Sequence, residues 1–246
     1  EGRSPMEVSV GETARICRRV RPGRDYVKLT KVLKPKEISH DEYSHLDWPG
    51  AYEKEQKKMF EKFKALNSTP VELDTLPEGA QLIFNFGVHT IKQYDHKPSW
   101  EPGYRLVGAG NQVFELRRGK WTKIGTVIDR QVDGLESATL ETTRIFVHTA
   151  KIRRRRVRKD DADGAYLQAP QDRSKRPMGL YSELPRCMYP KDSIAHTMRR
   201  PVFEVDQNLY GIDDASFSWD RFSRQCMVDK GFHPFYDLSQ SLYDHF

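Results

Sequence analysis

Cysteine is scarce in this sequence, and its three copies lie far apart. Cys17, Cys187 and Cys226 form no Cys-x-x-Cys pair, and their number is odd. A disulfide framework pairs its cysteines, and a structural zinc site needs closely spaced ligands. The sequence therefore predicts reduced thiols in an intracellular protein, rather than a disulfide-rich or zinc-finger domain.

Long apolar segments are also missing. Hydrophobic residues make up 37% of the 246 residues, the mean hydropathy is −0.76, and no apolar run approaches the roughly 20 residues of a membrane span. The sequence shows no signatures of the Gly-x-Ser-x-Gly, P-loop, His-Glu-x-x-His or Gly-x-Gly-x-x-Gly type. We therefore exclude a transmembrane protein, and we expect a polar partner to cover part of this lean domain.

Positive charge is concentrated in two stretches. The net charge is +6, yet residues 1–36 hold ten Lys or Arg against four acids, and residues 144–160 hold eight against Asp160. Dense basic stretches on an acidic remainder are typical of nucleic-acid binding. Arginine grips phosphate through paired N–H donors and stacks on unpaired bases, which favours RNA. The residues predicted to contact RNA are Arg15, Arg18, Arg19, Arg21, Arg24, Arg153, Arg154, Arg155, Arg156, Arg158 and Lys159.

Periodicity divides the chain near residue 48. Residues 1–48 hold three prolines and three glycines and show little periodicity, which predicts an extended basic arm with at most short elements. Residues 49–67 place apolar side chains such as Met59 and Leu66 on one helical stripe. Residues 81–93 alternate as a strand, with one buried face formed by Leu82, Phe84, Phe86 and Val88. We predict an α+β domain over residues 49–246.

Further elements are predicted in the second half of that domain. A helix is expected to begin near Ser137 and to bury Leu140, Ile145, Phe146 and Val147, and the basic run after it is expected to be a strand that ends at Asp161. Residues 171–200 are rich in Pro, Gly and charge, which predicts loop. A last helix is expected between a cap at Asp213 and Gly231, with Trp219, Phe222 and Cys226 facing the core.

The segment "DADGAYLQAP" at residues 161–170 resembles the first catalytic motif of reverse transcriptases from Ty1/copia-type retrotransposons. Four further segments resemble that family in the same order: residues 65–92, "YRLVGAGNQ", "RRPVFEVDQNLYGIDDASFSW" and "DKGFHPFYDLSQSLYDHF". The resemblance covers roughly residues 50–246. It implies a fingers/palm fold with an antiparallel sheet and packed helices, which the basic arm would precede.

The resemblance also implies roles for three residues. Asp161 matches the first carboxylate of a two-Mg²⁺ phosphoryl-transfer centre. Tyr166 matches the aromatic residue that blocks a ribose 2′-hydroxyl, and Arg105 matches the fingers arginine that grips the incoming phosphates.

Several positions depart from the family pattern. Gly103 replaces a lysine, and Asp214 replaces a glutamine near the nucleotide, or Asp213 does if the alignment slips by one. Pro70 and Gly87 replace tryptophans. The Tyr-x-Asp-Asp hairpin would come after the "SLYDHF" segment, where this sequence stops, and one carboxylate motif cannot hold both metal ions.

These departures predict a non-catalytic, reverse-transcriptase-derived RNA-binding protein without a cofactor. Asp161 would then be a capping or solvated acid paired with Arg156 or Arg158, and Tyr166 a core aromatic residue. We expect a structural component of a ribonucleoprotein, specifically a mitochondrial ribosome in the matrix, with rRNA and neighbouring proteins as partners. The Arg-rich segment "ETARICRRVRPGR" would suit a chain that follows a mitochondrial presequence.

Two alternatives remain open at the level of sequence. The first is an active RNA-directed DNA polymerase that uses Mg²⁺ and whose Tyr-x-Asp-Asp motif lies beyond the sequence. The second is a DNA-binding or scaffold protein that kept only the fold.

Overall fold

The computed structural model describes residues 14–17, 28–94, 97–124, 140–154, 162–235 and 239–245. Its strands are β1 (Ala14–Cys17), β2 (Lys28–Leu33), β3 (Val71–Glu72), β4 (Gln81–Lys92), β5 (Glu101–Arg117), β6 (Lys120–Ile124), β7 (Leu180–Glu183), β8 (Pro201–Glu204), β9 (Phe232–Phe235) and β10 (Ser239–His245). Its α-helices are α1 (Asp41–Ser44), α2 (Trp48–Gln56), α3 (Leu140–Ile152), α4 (Ala165–Gln168) and α5 (Ala215–Asp229). The predicted α+β class is confirmed.

The long strand β4 is the centre of a curled, mixed sheet. Its first half pairs in parallel with β7, and its second half pairs antiparallel with β2. Strand β5 runs antiparallel along its other edge, with a bulge between Ile83 and Asn85. The sheet continues through β8 and β3 on one side and through β6 on the other. The expected antiparallel sheet is therefore corrected to a mixed one, because the long connection from β4 to β7 allows a parallel pairing.

Helix α2 begins where the sequence predicts a helix. Asp47 caps its first turn by accepting the backbone N–H of Gly50 at 2.9 Å, and Pro49 occupies that turn. The helix continues as a π-helical segment over Lys57–Lys62, which buries Met59 completely. Met59 and Leu66 join the main core, as predicted.

Burial along β4 differs from the prediction. Leu82 is buried, but Phe86 on the same face is 50% exposed. Ile83 and Ile91 on the opposite face are completely buried. The reason is that α2 packs against that opposite face, whereas the predicted face is covered only near Leu82 by the smaller core around Leu73 and Val202.

Residues 28–48 need a correction, because the chain there is folded rather than an extended arm. Strand β2 pairs with the second half of β4. Leu33, Tyr43 and Trp48 are buried in one cluster with Ile91. Aromatic burial and strand pairing therefore determine the structure of this stretch, although its sequence shows little periodicity. Residues 1–13 and 18–27 of the predicted arm lie outside the described residues, and the domain division at residue 48 stays a prediction.

Helix α3 exposes side chains that the sequence predicts to be buried. Ala150 is buried and Phe146 is half-buried, four positions apart on one face. Ile145 and Val147 are 51% and 46% exposed, so their predicted burial was wrong. Each follows or precedes Phe146 by one residue, which turns it about 100° away from the buried face.

Two other elements of the second half differ in part from the sequence prediction. Strand β7 lies within the segment predicted to be loop. Helix α5 ends at Asp229, and Gly231 follows it with a φ of 79°, as predicted. Its N-cap residue is Asp214 rather than Asp213, and the Asp214 side chain makes no capping bond. Cys226 is exposed rather than facing the core.

Glycine allows the loop at Tyr210 to approach β5 closely. The backbone N–H of Gly108 donates to Tyr210 O at 2.7 Å, and that of Gly110 donates to Gly211 O at 3.1 Å. A Cβ at Gly110 would collide with Gly211 O, and Gly211 itself has a φ of 87°. The loop therefore acts as a short extra strand that fixes the Tyr210 side chain.

We expect Gly110→Ala to lower the free energy of unfolding by about 2 kcal/mol, because overpacking a close contact costs roughly 1–3 kcal/mol. Chemical denaturation measures this change. The matched control is Gly119→Asn, since Gly119 has a φ of 72° but no atom within 4 Å of an added Cβ and Asn tolerates that backbone conformation. Equal stability of the two variants would contradict the close contact.

Candidate functional site

A polar cleft of about 430 Å³ lies between the π-helical segment after α2, strand β5 and helices α4 and α5. Its lining combines two cations, three aromatic residues and one acid with small residues that leave room for a ligand. These are Lys58, Arg105, Tyr166, Tyr210, Trp219, Asp163, Ala162, Gly164 and Ala165.

The two cations of the cleft meet over one aromatic ring. The Arg105 guanidinium carbon lies 4.7 Å from the centre of the Tyr210 ring, and Lys58 Nζ lies 5.6 Å from it. The Tyr166 ring packs against Tyr210 with centroids 5.6 Å apart. Contacts of this kind stabilise by about 0.5–1 kcal/mol at exposed sites and hold a cation over a ring face. The cleft therefore presents positive charge beside a stacking surface.

The acid of the cleft, Asp163, is held by two lysines. Lys62 Nζ lies 2.5 Å from Oδ2, and Lys58 Nζ lies 4.0 Å from Oδ1. The hydrogen bond from Lys62, with the charge of Lys58, keeps the pKa of the Asp163 carboxyl below its ordinary value. Because Asp163 is well exposed, these pairs add little stability, but they cancel its negative charge.

The turn that presents Asp163 depends on Gly164. Gly164 has a φ of 64°, and a Cβ there would press on the Phe63 ring at 2.7 Å. Phe63 ends the π-helical segment, where its N–H donates to Lys58 O at 3.1 Å. One segment thus places Lys58 in the cleft and Lys62 beside Asp163, and the ring of Phe63 directly after it lies beneath the turn.

A buried carboxylate lies behind the two cations. Glu55 Oε1 accepts the backbone N–H of Leu106 at 3.1 Å. Burial raises the pKa of the Glu55 carboxyl, against the opposing effects of this bond and of the Lys58 and Arg105 charges. Alternate residues of β5 direct their backbone N–H groups to the same edge of the strand. On that edge Glu55 accepts the N–H of Leu106, and the Tyr210 loop accepts those of Gly108 and Gly110.

Asp214, a departure from the family pattern, is neutralised. Arg176 contacts both of its oxygens, with Nη1 to Oδ2 at 3.0 Å and Nη2 to Oδ1 at 3.1 Å. Arg176 also donates to Gln171 and Gln81. Burial, and then the nearby Asp214 charge, raise the pKa of the Asp213 carboxyl. The negative charge of Asp214 is therefore compensated by a half-buried ion pair.

The structure brings together two of the residues to which the resemblance gives roles. Arg105 and Tyr166 line the same cleft, and Asp161 lies outside the described residues, one position before Ala162. The cleft also contains Lys58, Tyr210 and Trp219, whose roles sequence reasoning missed. The sequence signal for Lys58 is its position four residues before Lys62 on one helix face.

The predicted RNA-contacting arginines are only partly described. Arg153 and Arg154 lie in a turn after α3, where Arg153 N–H donates to Thr149 O at 2.9 Å, so the predicted strand is corrected at these two positions. The bond from Arg153 to Thr149 spans four residues, so the helical hydrogen bonding of α3 extends to the first residue of the basic run and prevents a strand there. Arg15 lies on β1 opposite Thr30. The remaining members, Arg18, Arg19, Arg21, Arg24, Arg155, Arg156, Arg158 and Lys159, fall outside the described residues.

We expect Glu55→Gln to gain stability relative to the wild type as pH rises above the ordinary carboxyl pKa of about 4.3. Burial disfavours the charged form of Glu55 in the folded protein. The free energy of unfolding that neutral Glu55 contributes is therefore fully present below that pH, and it is lost as the pH rises through the higher pKa of the folded state. Denaturation at a series of pH values measures the difference.

Glu53→Gln is the matched control for this pH series. A hydrogen bond with Lys57 lowers the pKa of the exposed Glu53 carboxyl, so its contribution has the opposite sign. Parallel pH profiles for Glu55→Gln and the wild type would contradict the burial argument.

The chain was compared with known protein families, curated proteins and solved structures. No family model, no curated protein and no solved structure matches the chain. Within the described ranges, no three His, Cys, Asp or Glu residues are grouped so that they could hold a metal ion. Over the same residues, no helix has the length and apolar character to span a bilayer.

Proposed function

We propose that this chain is a non-catalytic RNA-binding protein with a reverse-transcriptase-like fingers/palm fold, acting as a structural component of a ribonucleoprotein. The observation that carries this proposal is the cleft in which Arg105 and Lys58 lie over the Tyr210 ring. An RNA strand offers the matching pair of groups, since its phosphates need cations and its unpaired bases need aromatic surfaces.

The charge balance of the cleft favours an anionic ligand. Among the described lining residues Asp163 is the one acid, and Lys62 and Lys58 neutralise it. Arg105 is exposed and contacts the Tyr210 ring, so its N–H donors can still reach a phosphate. Tyr166 and Trp219 add further aromatic surface to the cleft.

The reverse-transcriptase part of the proposal is supported by which segments meet. The segments "YRLVGAGNQ", "DADGAYLQAP" and "NLYGIDD" carry the resemblance, and each contributes to this cleft. The meeting of Arg105 and Tyr166 is what the resemblance implies.

Two glycines support a non-catalytic derivative. A Cβ at Gly103 would lie 2.6 Å from Thr90 Oγ1, and one at Gly87 would enter the Tyr104 ring. The packing around these positions has therefore adapted to glycine, where the family carries lysine and tryptophan. Together with the two basic stretches, this favours rRNA and neighbouring proteins of a mitochondrial ribosome as the partners.

We expect Arg105→Gln and Tyr210→Leu each to weaken binding of a labelled single-stranded RNA by about ten-fold. Stacking on an aromatic side chain stabilises by roughly 1–3 kcal/mol per base, and about 1.4 kcal/mol corresponds to ten-fold. Fluorescence anisotropy measures the affinity. The matched control is Arg200→Gln, which removes the same charge from an exposed ion pair with Glu183 outside the cleft. Equal affinities for Arg105→Gln and Arg200→Gln would remove the cleft from RNA binding.

A second candidate function is RNA-directed DNA polymerisation, and the meeting of Arg105 and Tyr166 favours it. Asp161 would then supply a Mg²⁺ ligand beside Ala162. A primer-extension assay with Mg²⁺ or Mn²⁺ separates the two functions. We expect no incorporation of nucleotides by the chain. Incorporation that Asp161→Ala abolishes would establish the polymerase and overturn the non-catalytic proposal.

A further inference from the structure

The hairpin of β5 and β6 ends in a turn that the rest of the chain holds in place. Arg118 and Gly119 form this turn, with φ values of 51° and 72°. The Glu78 carboxylate accepts the backbone N–H groups of both residues. Leu116 exchanges backbone bonds with Gly79 and Ala80, at 2.9 and 3.0 Å. The tip is therefore anchored before any ligand arrives.

The anchored tip concentrates positive charge. Arg117, Arg118, Lys120 and Lys123 lie within seven residues and are all exposed. Arg117 lies directly opposite Lys120 in the strand pairing. Like charges in this arrangement destabilise a hairpin. The Arg117–Lys120 pair therefore does not help to hold the hairpin together.

Little of this charge is compensated within the protein. Glu115 pairs with Arg117, with Oε1 and Nε 2.6 Å apart. Among the described residues, no carboxylate pairs with the side chain of Arg118, Lys120 or Lys123. The Glu78 charge is taken up by the backbone of the turn. The exposed groups of the tip are therefore cationic, and the neighbouring Trp121 packs into the smaller core instead.

We infer that this hairpin tip, residues 117–123, binds the sugar–phosphate backbone of RNA at a second site, apart from the cleft. The inference rests on the proposed function and adds a contact to it. Free cations on a rigid ribbon without exposed apolar groups suit a phosphodiester chain rather than an apolar protein surface. An anion between Arg117 and Lys120 would also relieve their repulsion.

The tip and the cleft lie toward opposite ends of β5. Twelve residues separate Arg105 from Arg117, which corresponds to at most about 40 Å at the rise of a strand. An RNA of about four nucleotides can fill the cleft alone, whereas one of about 20 nucleotides can span both sites at roughly 3.4 Å per nucleotide. Probe length therefore separates the two contacts.

The test compares the full chain with its Arg118→Gln/Lys120→Gln variant on both RNA probes over a range of salt concentrations. We expect the variant to bind the long probe several-fold more weakly, with a salt slope shallower by about 1.4, since each lost phosphate contact removes about 0.7 on single strands. Binding of the short probe should not change. The denaturation midpoint should be unchanged or higher, because the opposing charges are reduced.

The control variant is Lys54→Gln/Lys230→Gln, which removes two exposed lysine charges elsewhere and should leave the long-probe slope unchanged. An unchanged slope in the tip variant, with wild-type binding of both probes, would overturn the inference and leave the cleft proposal standing. A tip variant that aggregates yet binds RNA normally would overturn it too, since lysines also protect edge strands from pairing.

Two further outcomes count against the tip as an RNA site. If the wild type binds neither probe, the proposed function is lost and the inference with it. If the tip charges are needed for binding vesicles of anionic lipid but not for binding the long RNA, the tip is a membrane contact instead.

Discussion

The cleft depends on one close backbone approach. Strand β5 has an edge whose N–H groups must find acceptors, and the Tyr210–Gly211 loop supplies two of them. The loop can come so near only because Gly108, Gly110 and Gly211 carry no side chain. This pairing fixes the Tyr210 ring beneath Arg105 and sets the start of α5. Without this pairing, Arg105 and Lys58 would lack the aromatic ring that both contact.

The three carboxylates at and behind the cleft differ in their surroundings. Asp163 has two lysines, Asp214 has a two-point pair with Arg176, and Glu55 is penalised by burial while it accepts a backbone N–H. Arg105 remains exposed, with a ring as its main contact. Among the described residues, no carboxylate forms an ion pair with Arg105, so its charge is available to a ligand.

The sequence predicts the elements of this fold better than their burial. Helix α2, strand β4 and the end of α5 just before Gly231 follow from periodicity and caps, which are local. Strand β7 could not be predicted, because its four residues carry too little pattern and the strand depends on its pairing with β4 and β8. The exposure of Ile145 likewise depends on which neighbour covers α3.

The candidate site shows the same division between local and distant causes. The resemblance identifies Arg105 and Tyr166, and the structure brings them into one cleft. Lys58 and Tyr210 were missed because their role arises from contacts between residues more than 100 positions apart. The basic stretches indicate an anionic partner from composition alone, but no pattern in the sequence shows that Asp163 and Asp214 are paired.

The π-helical segment after α2 has a consequence for how this region can change. Its wider turn bonds Phe63 to Lys58, five residues earlier, and brings the lysine within 6.0 Å of that ring's centre. Loss of a single residue between 57 and 62 would restore ordinary α-helical bonding and rotate the helix before the deletion by about 100° relative to the chain after it. The length of this segment therefore sets where Lys58 lies relative to Tyr210. Shortening the segment would separate the lysine from the tyrosine without altering either side chain.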